Sequence, residues 1–135
     1  MLKTYDPKRV LISLGSHTVR GYSDGTFINI AAHGDGVTKV VGCDGEVGRS
    51  IDPDGTATIT ITLLQGSSTV KWCQDQYKKD KDTADALFPV LIKDLRGNFL
   101  FSAKDAWVSQ MPDLEYGKEM ANREIEIACG ESVWD

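Results

Sequence analysis

Thr56-Ala57-Thr58-Ile59-Thr60-Ile61-Thr62-Leu63-Leu64 decides the fold class of this chain. Threonine alternates with an apolar residue, so Ala57, Ile59, Ile61 and Leu63 point to one side of an extended chain. Thr56, Thr58, Thr60 and Thr62 point to the other. A period of two held over eight residues is a half-buried β-strand. Just upstream, Gly42-Cys43-Asp44-Gly45-Glu46-Val47-Gly48-Arg49-Ser50 leads through Asp52-Pro53-Asp54-Gly55 into the strand. This glycine-rich, charged stretch is long for a hairpin turn, and a long loop on a rigid strand pair is a common seat of function. Its candidate contact residues are Gly42, Asp44, Glu46, Arg49, Asp52 and Asp54, and the partner they suggest is another copy of the protein.

Working outward, residues 10–14 (Val-Leu-Ile-Ser-Leu) predict a strand and Gly15-Ser16 its turn. Residues 17–21 start a second strand, 26–30 a third and the β-branched 37–41 a fourth, separated by Ser23-Asp24-Gly25 and His33-Gly34-Asp35-Gly36. Ser67-Ser68-Thr69 offers N-cap hydroxyls, and Val70, Cys73 and Tyr77 recur at helical spacing with Trp72 beside them. A helix over residues 67–81 follows, with Lys78, Lys79 and Lys81 toward its C-terminal end. Residues 87–94 and 99–102, joined by Leu95-Arg96-Gly97-Asn98, predict a hairpin, and 106–108 a short strand. Residues 119–129 form a terminal strand, in which Arg123, Ile125 and Ile127 face opposite to Glu124 and Glu126. Many strands at roughly ten-residue spacing with one helix specify a mainly β fold: a β-sandwich or barrel with one flanking α-helix. No linker or repeat divides it, so residues 1–135 are expected to form a single domain.

Composition narrows the function. The chain has 135 residues, 41% of them hydrophobic and 26% charged, with a formal net charge of −5 at pH 7. A negative balance disfavours tight nucleic-acid binding, which needs a cationic face. Cys43, Cys73 and Cys129 have neither disulfide-framework nor metal-site spacing. The first residues contain no apolar signal-peptide core, and no run is long enough to span a bilayer, so synthesis in the cytoplasm is expected. His17 and His33 have no nucleophile or carboxylate at a motif spacing. Gly42-x-x-Gly45-x-x-Gly48 has no helix after it to make a dinucleotide site. The acids of residues 44–54 miss the calcium-loop spacing, and Asp54-Gly55 is better explained as a turn. No catalysis, cofactor or metal is expected. Trp72, Trp107 and Trp134 suggest a sugar-stacking platform less well than packing for the first two and an exposed position for the third. The face of Thr58, Thr60 and Thr62 has an ordinary reading as the wet side of a sheet. Its sharper reading, with Glu124 and Glu126, is the polar wall of a channel built from several subunits.

Several blocks in order carry a resemblance: Tyr5-Asp6-Pro7-Lys8, Gly21-Tyr22-x-Asp24-Gly25-Thr26-Phe27-Ile28, Val41-Gly42-Cys43-Asp44-Gly45-Glu46-Val47-x-Arg49-Ser50, Leu63-Leu64-Gln65 and Ile92-Lys93-Asp94-x-x-Gly97. Together they resemble the tail tube proteins of contractile-tailed (myovirus-type) bacteriophages, with Cys43 standing where a small residue such as alanine is expected. The resemblance implies a virion tail protein forming six-membered rings that stack into a hollow tube, through which DNA passes without specific binding. It implies contacts with further copies of itself and with sheath, baseplate and tail terminator proteins, and none with a membrane. It casts residues 42–55 as the loop reaching the adjacent ring. The alternatives are the tube of a contractile injection or type VI secretion system, a monomeric β-sandwich binding module and, more remotely, a hydrolase.

Overall fold

A computed structural model describes residues 2–135. Its ten strands are β1 (Val10–Leu14), β2 (His17–Thr18), β3 (Ile28–Ala32), β4 (Val37–Val41), β5 (Val47–Ile51), β6 (Ala57–Leu64), β7 (Phe88–Asp94), β8 (Phe99–Gln110), β9 (Asn122–Cys129) and β10 (Ser132–Trp134). One α-helix, α1 (Ser68–Thr83), lies between β6 and β7, and a single 3-10 turn spans Pro7–Arg9. Eight strands make one antiparallel sheet in the order β2-β1-β7-β8-β9-β6-β3, with β10 added on β8. The fold is mainly β, as the alternation of residues 56–63 requires.

β8 joins three strands. Its first half pairs with β7 and β10 and its second half with β9. Lys104 and Asp105 are consecutive exposed residues, and the register with β7 slips there, so a bulge bends the strand. Residues 99–102 and 106–108, expected as separate strands, are therefore one twelve-residue strand. The bulge shifts the alternation by one residue and hides the continuity.

The apolar faces of the two halves close on one core. Ile59, Ile61 and Leu63 of β6 and Ile125 and Ile127 of β9 meet Ile12 and Leu14 of β1, Val90 and Ile92 of β7 and Phe101 of β8. α1 covers this core, as expected of a lone helix. Ser67 caps it by accepting from the Thr69 N–H, and Ala84 ends it in a left-handed conformation. Cys73 is fully buried beneath it, while Trp72 packs edge-on to Phe88 and stacks on His17. The Thr69 hydroxyl, also buried, accepts from the Arg20 N–H (3.1 Å) and bonds His17 Nε2 (2.9 Å), tying the helix start to the chain after β2. Gly21 passes so close to Ser67 that a Cβ there would lie 2.7 Å from the Ser67 Cβ, and its φ of +77° favours glycine as well.

Other expectations shift. The strand expected over residues 17–21 is only His17–Thr18, because Val19 turns into the core and Arg20 turns toward Thr69. Trp107 lies on the outer face of the sheet, paired with Ala128, rather than in the core. Trp134 is not in a loose tail: it belongs to β10, packs edge-on against Phe101 and Phe99, and remains 43% exposed.

Candidate functional site: a projecting arm and a polar wall

The stretch expected as a loop is half strand. Val47–Ile51 pairs along its whole length with Val37–Val41, in the register Val37↔Ile51, Lys39↔Arg49, Val41↔Val47, with Thr38↔Ser50 and Val40↔Gly48 between. The turn between them is closed by bonds from Gly42 N to Glu46 O (2.7 Å) and from Gly45 N to Gly42 O (3.0 Å). Gly45 sits at φ +91°, and the Asp44 carboxylate accepts from Glu46 N. Gly48 and Arg49 mask the strand from a propensity reading, since neither favours a β-conformation strongly. This two-stranded sheet is separate from the main one, and every residue of both strands is exposed.

The six loop residues singled out from sequence thus separate by position. Gly42, Asp44 and Glu46 build the tip, Arg49 lies on one face of the arm, and Asp52 and Asp54 build the base. The Asp52 carboxylate accepts from the backbone N–H groups of Asp35 (2.8 Å) and Asp54 (3.0 Å), and these bonds hold its pKa below the usual carboxylate value. Asp54 accepts from the hydroxyl and the N–H of Thr56, which lower its pKa in the same way. A Cβ at Gly34, itself at φ +83°, would lie 2.9 Å from the Asp52 carboxylate. The base is a braced corner, and its two aspartates are occupied inside the chain.

Exposed apolar side chains dominate the arm: Val37, Val40, Val41, Val47 and Ile51 are each between 57% and 72% exposed. An isolated two-stranded ribbon with such side chains is marginal in water. Alternation puts Val37, Ile51, Val41 and Val47 on one face, with Lys39 and Arg49 opposite each other between them. Among the described residues neither cation forms an ion pair, and like charges facing across strands repel.

The second candidate site is brought together as the alternation requires. Thr60 pairs with Glu126, Thr62 with Glu124 and Thr58 with Ala128 across β6 and β9, and Asn29 of β3 pairs with Thr60 on the other side. Thr58, Thr60, Thr62, Glu124 and Glu126 therefore share one solvent-facing side, opposite the isoleucine core. His33 reaches over to hydrogen-bond the Thr58 hydroxyl, and Ser109 of β8 bonds Glu126. At one end of this face Glu124 and Glu126 share an open cleft with Asp113 and Glu115. Four carboxylates around one cleft set up a negative potential. Among the described residues no His, Cys, Asp or Glu group has metal-holding geometry.

Sequence reasoning missed the segment that closes this cleft. Residues 113–121 carry exposed Leu114, Tyr116 and Met120 among acids, with no periodicity to mark them. The segment is braced nonetheless. Arg123, only 2% exposed, donates to the carbonyls of Glu115 (3.0 Å) and Asn122 and lies under the Tyr116 ring. Gln65 bonds Ala121 through both its backbone N–H and its side-chain oxygen.

The chain is 27% identical over 133 residues to a structural protein of Pseudomonas phage KPP10, covering 93% of this chain and 77% of that one. The likeness is to a phage structural protein. Among solved structures, the cap that terminates the tube of the anti-feeding prophage matches with a TM-score of 0.60 at 12% identity, over 100% of this chain and 93% of the cap. The sheath/tube terminator of the extracellular contractile injection system PVC matches with a TM-score of 0.60 at 10% identity, over 99% of this chain and 98% of the other. The extended sheath-tube complex of that system follows at 0.58 and 11%, over 98% and 91%. These matches establish a shared fold along the whole chain. No protein-family model matches it.

Proposed function

We propose that this chain is a structural subunit of a bacteriophage contractile tail tube, made in the host cytoplasm and resident in the virion tail. As one domain over residues 1–135 it forms rings, six-membered as the resemblance implies, that stack around a lumen. The observation that carries this reading is the arm. It is a ribbon whose apolar side chains are all exposed, most of them on a face that also carries Lys39 and Arg49, and none of the described residues of its own chain covers it. Contiguous exposed apolar surface marks a contact site for another protein. Similarity to a phage structural protein and the fold shared with chains of contractile machines support the same reading.

In this account the wall of Thr58, Thr60, Thr62, Glu124 and Glu126 lines the lumen, where an acidic surface lets a polyanion pass without holding it. The role is architectural, with no catalysis and no cofactor. The partners are further copies of the chain, then sheath, baseplate and terminator proteins. A second reading, a ring that ends the tube, draws support from two structural neighbours being tube caps or terminators.

Replacing residues 37–51 by a short Gly-Ser linker tests the arm. The variant should keep a cooperative unfolding transition, since the arm lies off the core, and should no longer form stacked tubes. Tubes of normal length from it would refute the assignment.

A further inference from the structure

Two of the surfaces that the chain leaves uncovered match each other in charge and polarity. One is the arm face on which Val37–Ile51 and Val41–Val47 flank the Lys39–Arg49 rung. The other is the segment 113–120, acidic on balance, in which Leu114, Tyr116 and Met120 stand exposed among Asp113, Glu115 and Glu119, with Lys118 as the single cation. We infer that the arm of one copy seats on residues 113–120 of the next copy, its two cations against that segment's carboxylates. This contact rests on the tube reading above and names the partner surface within it.

Position in the fold makes the contact directional. The arm springs from the end of β6 where Ala57 pairs with Ala32 and Thr56 bonds His33. The acidic segment meets the other end, where Gln65, just past Leu64, bonds Ala121. β6 has eight residues, so donor and receptor are separated by about 23 Å along one strand, at about 3.3 Å per residue. A donor at one end and a receptor at the other cannot satisfy each other within one subunit. Joined between copies they make a head-to-tail contact, the kind that propagates into rings or open stacks.

The energetics favour a partner of this composition. Lys39 and Arg49 repel across the ribbon in the free chain, and a carboxylate between them removes that penalty. Glu124 and Glu126 share the cleft of Asp113 and Glu115, so the negative potential is concentrated beside the receptor. Arg123 fixes that receptor from below, through the Glu115 carbonyl and the Tyr116 ring. A pre-ordered receptor loses less entropy on docking.

The test uses two charge-reversed chains, Lys39→Glu with Arg49→Glu, and Asp113→Lys with Glu115→Lys. All four sites are exposed, and thermal melts of each chain check its folding. Each alone should pellet as tubes at least tenfold less than the wild type, and an equimolar mixture should pellet to within twofold of it. In the mixture every reversed arm finds a reversed receptor. Val41→Glu, on the docking face, should also abolish pelleting, whereas Val40→Glu, on the opposite face, should leave it. Charge-reversed chains that pellet like the wild type would overturn this contact while the tube reading stands. Loss of pelleting that the mixture does not restore would overturn the pairing too. A wild-type chain that never assembles would overturn the tube reading and this contact with it.

Discussion

Removing the Thr69 hydroxyl while keeping the side-chain shape, as Thr69→Val does, tests how the helix is fixed to the sheet. The hydroxyl is fully buried and serves two groups, the Arg20 N–H at 3.1 Å and His17 Nε2 at 2.9 Å. A neutral His17 accepting from Thr69 Oγ1–H, with the Arg20 N–H donating to the same oxygen, satisfies all three groups. Each bond contributes about 0.5–1.5 kcal/mol net, and loss of both leaves polar groups short of partners, so the variant should lose about 1–3 kcal/mol. A loss near 2 kcal/mol lowers the melting midpoint by roughly 6–8 °C for a chain of this length. Thermal unfolding followed by circular dichroism at pH 7.5 measures the loss, and amide exchange at Arg20 should speed up in step. A variant within about 0.3 kcal/mol of the wild type, with Arg20 equally protected, would refute the role of this tie.

Three further outcomes follow from the same geometry. Burial first, and the nearby Arg20 charge second, hold the His17 imidazole below its ordinary pKa. The folded state therefore favours neutral His17, and its contribution is complete above about pH 6.5 and is lost as pH falls from there through the folded value. Wild-type stability should drop between pH 7.5 and pH 5.5, and His17→Gln should flatten that drop; an unchanged slope would assign it to other groups. Burial pushes the Cys73 thiol up to about 12 and Cys129 to about 11, while Cys43 is exposed at the arm tip. A maleimide at pH 7.5 should label Cys43 alone in the folded chain and all three cysteines in denaturant, counted by intact mass. Glu124→Lys with Glu126→Lys puts four units of charge change per subunit on the proposed lumen wall. Tubes should still form and DNA ejection should slow, whereas unchanged ejection would move these residues away from the lumen.

The sequence revealed most about residues whose structure is set locally. The alternation of residues 56–63 names β6, its buried face and its threonine face, and the phase of residues 123–127 correctly puts Arg123 on the side of Ile125 and Ile127. Joining Thr60 to Glu126 needed only two alternating strands to be neighbours. What stayed hidden depends on pairing over distance. β5 contains Gly48 and Arg49 and becomes a strand only by bonding β4, so the arm looked like a loop. The bulge at Lys104 and Asp105 splits β8 in the sequence because the buried positions step by three there, from Ala103 to Ala106, which breaks the period of two. The Lys39–Arg49 rung is a product of register, and nothing within either segment announces it. Residues 113–121 have no period at all, and their order comes from Arg123 and Gln65, which lie outside the segment.

Stacking of this chain on itself is the claim on which the wall, the arm and the receptor all depend. Negative-stain microscopy of the purified chain over a range of concentrations tests it most directly. The account predicts hollow tubes of uniform diameter whose length grows with concentration. Single rings that never stack would favour the terminating role, and a monomer at every concentration, even with tail partners supplied, would contradict the account.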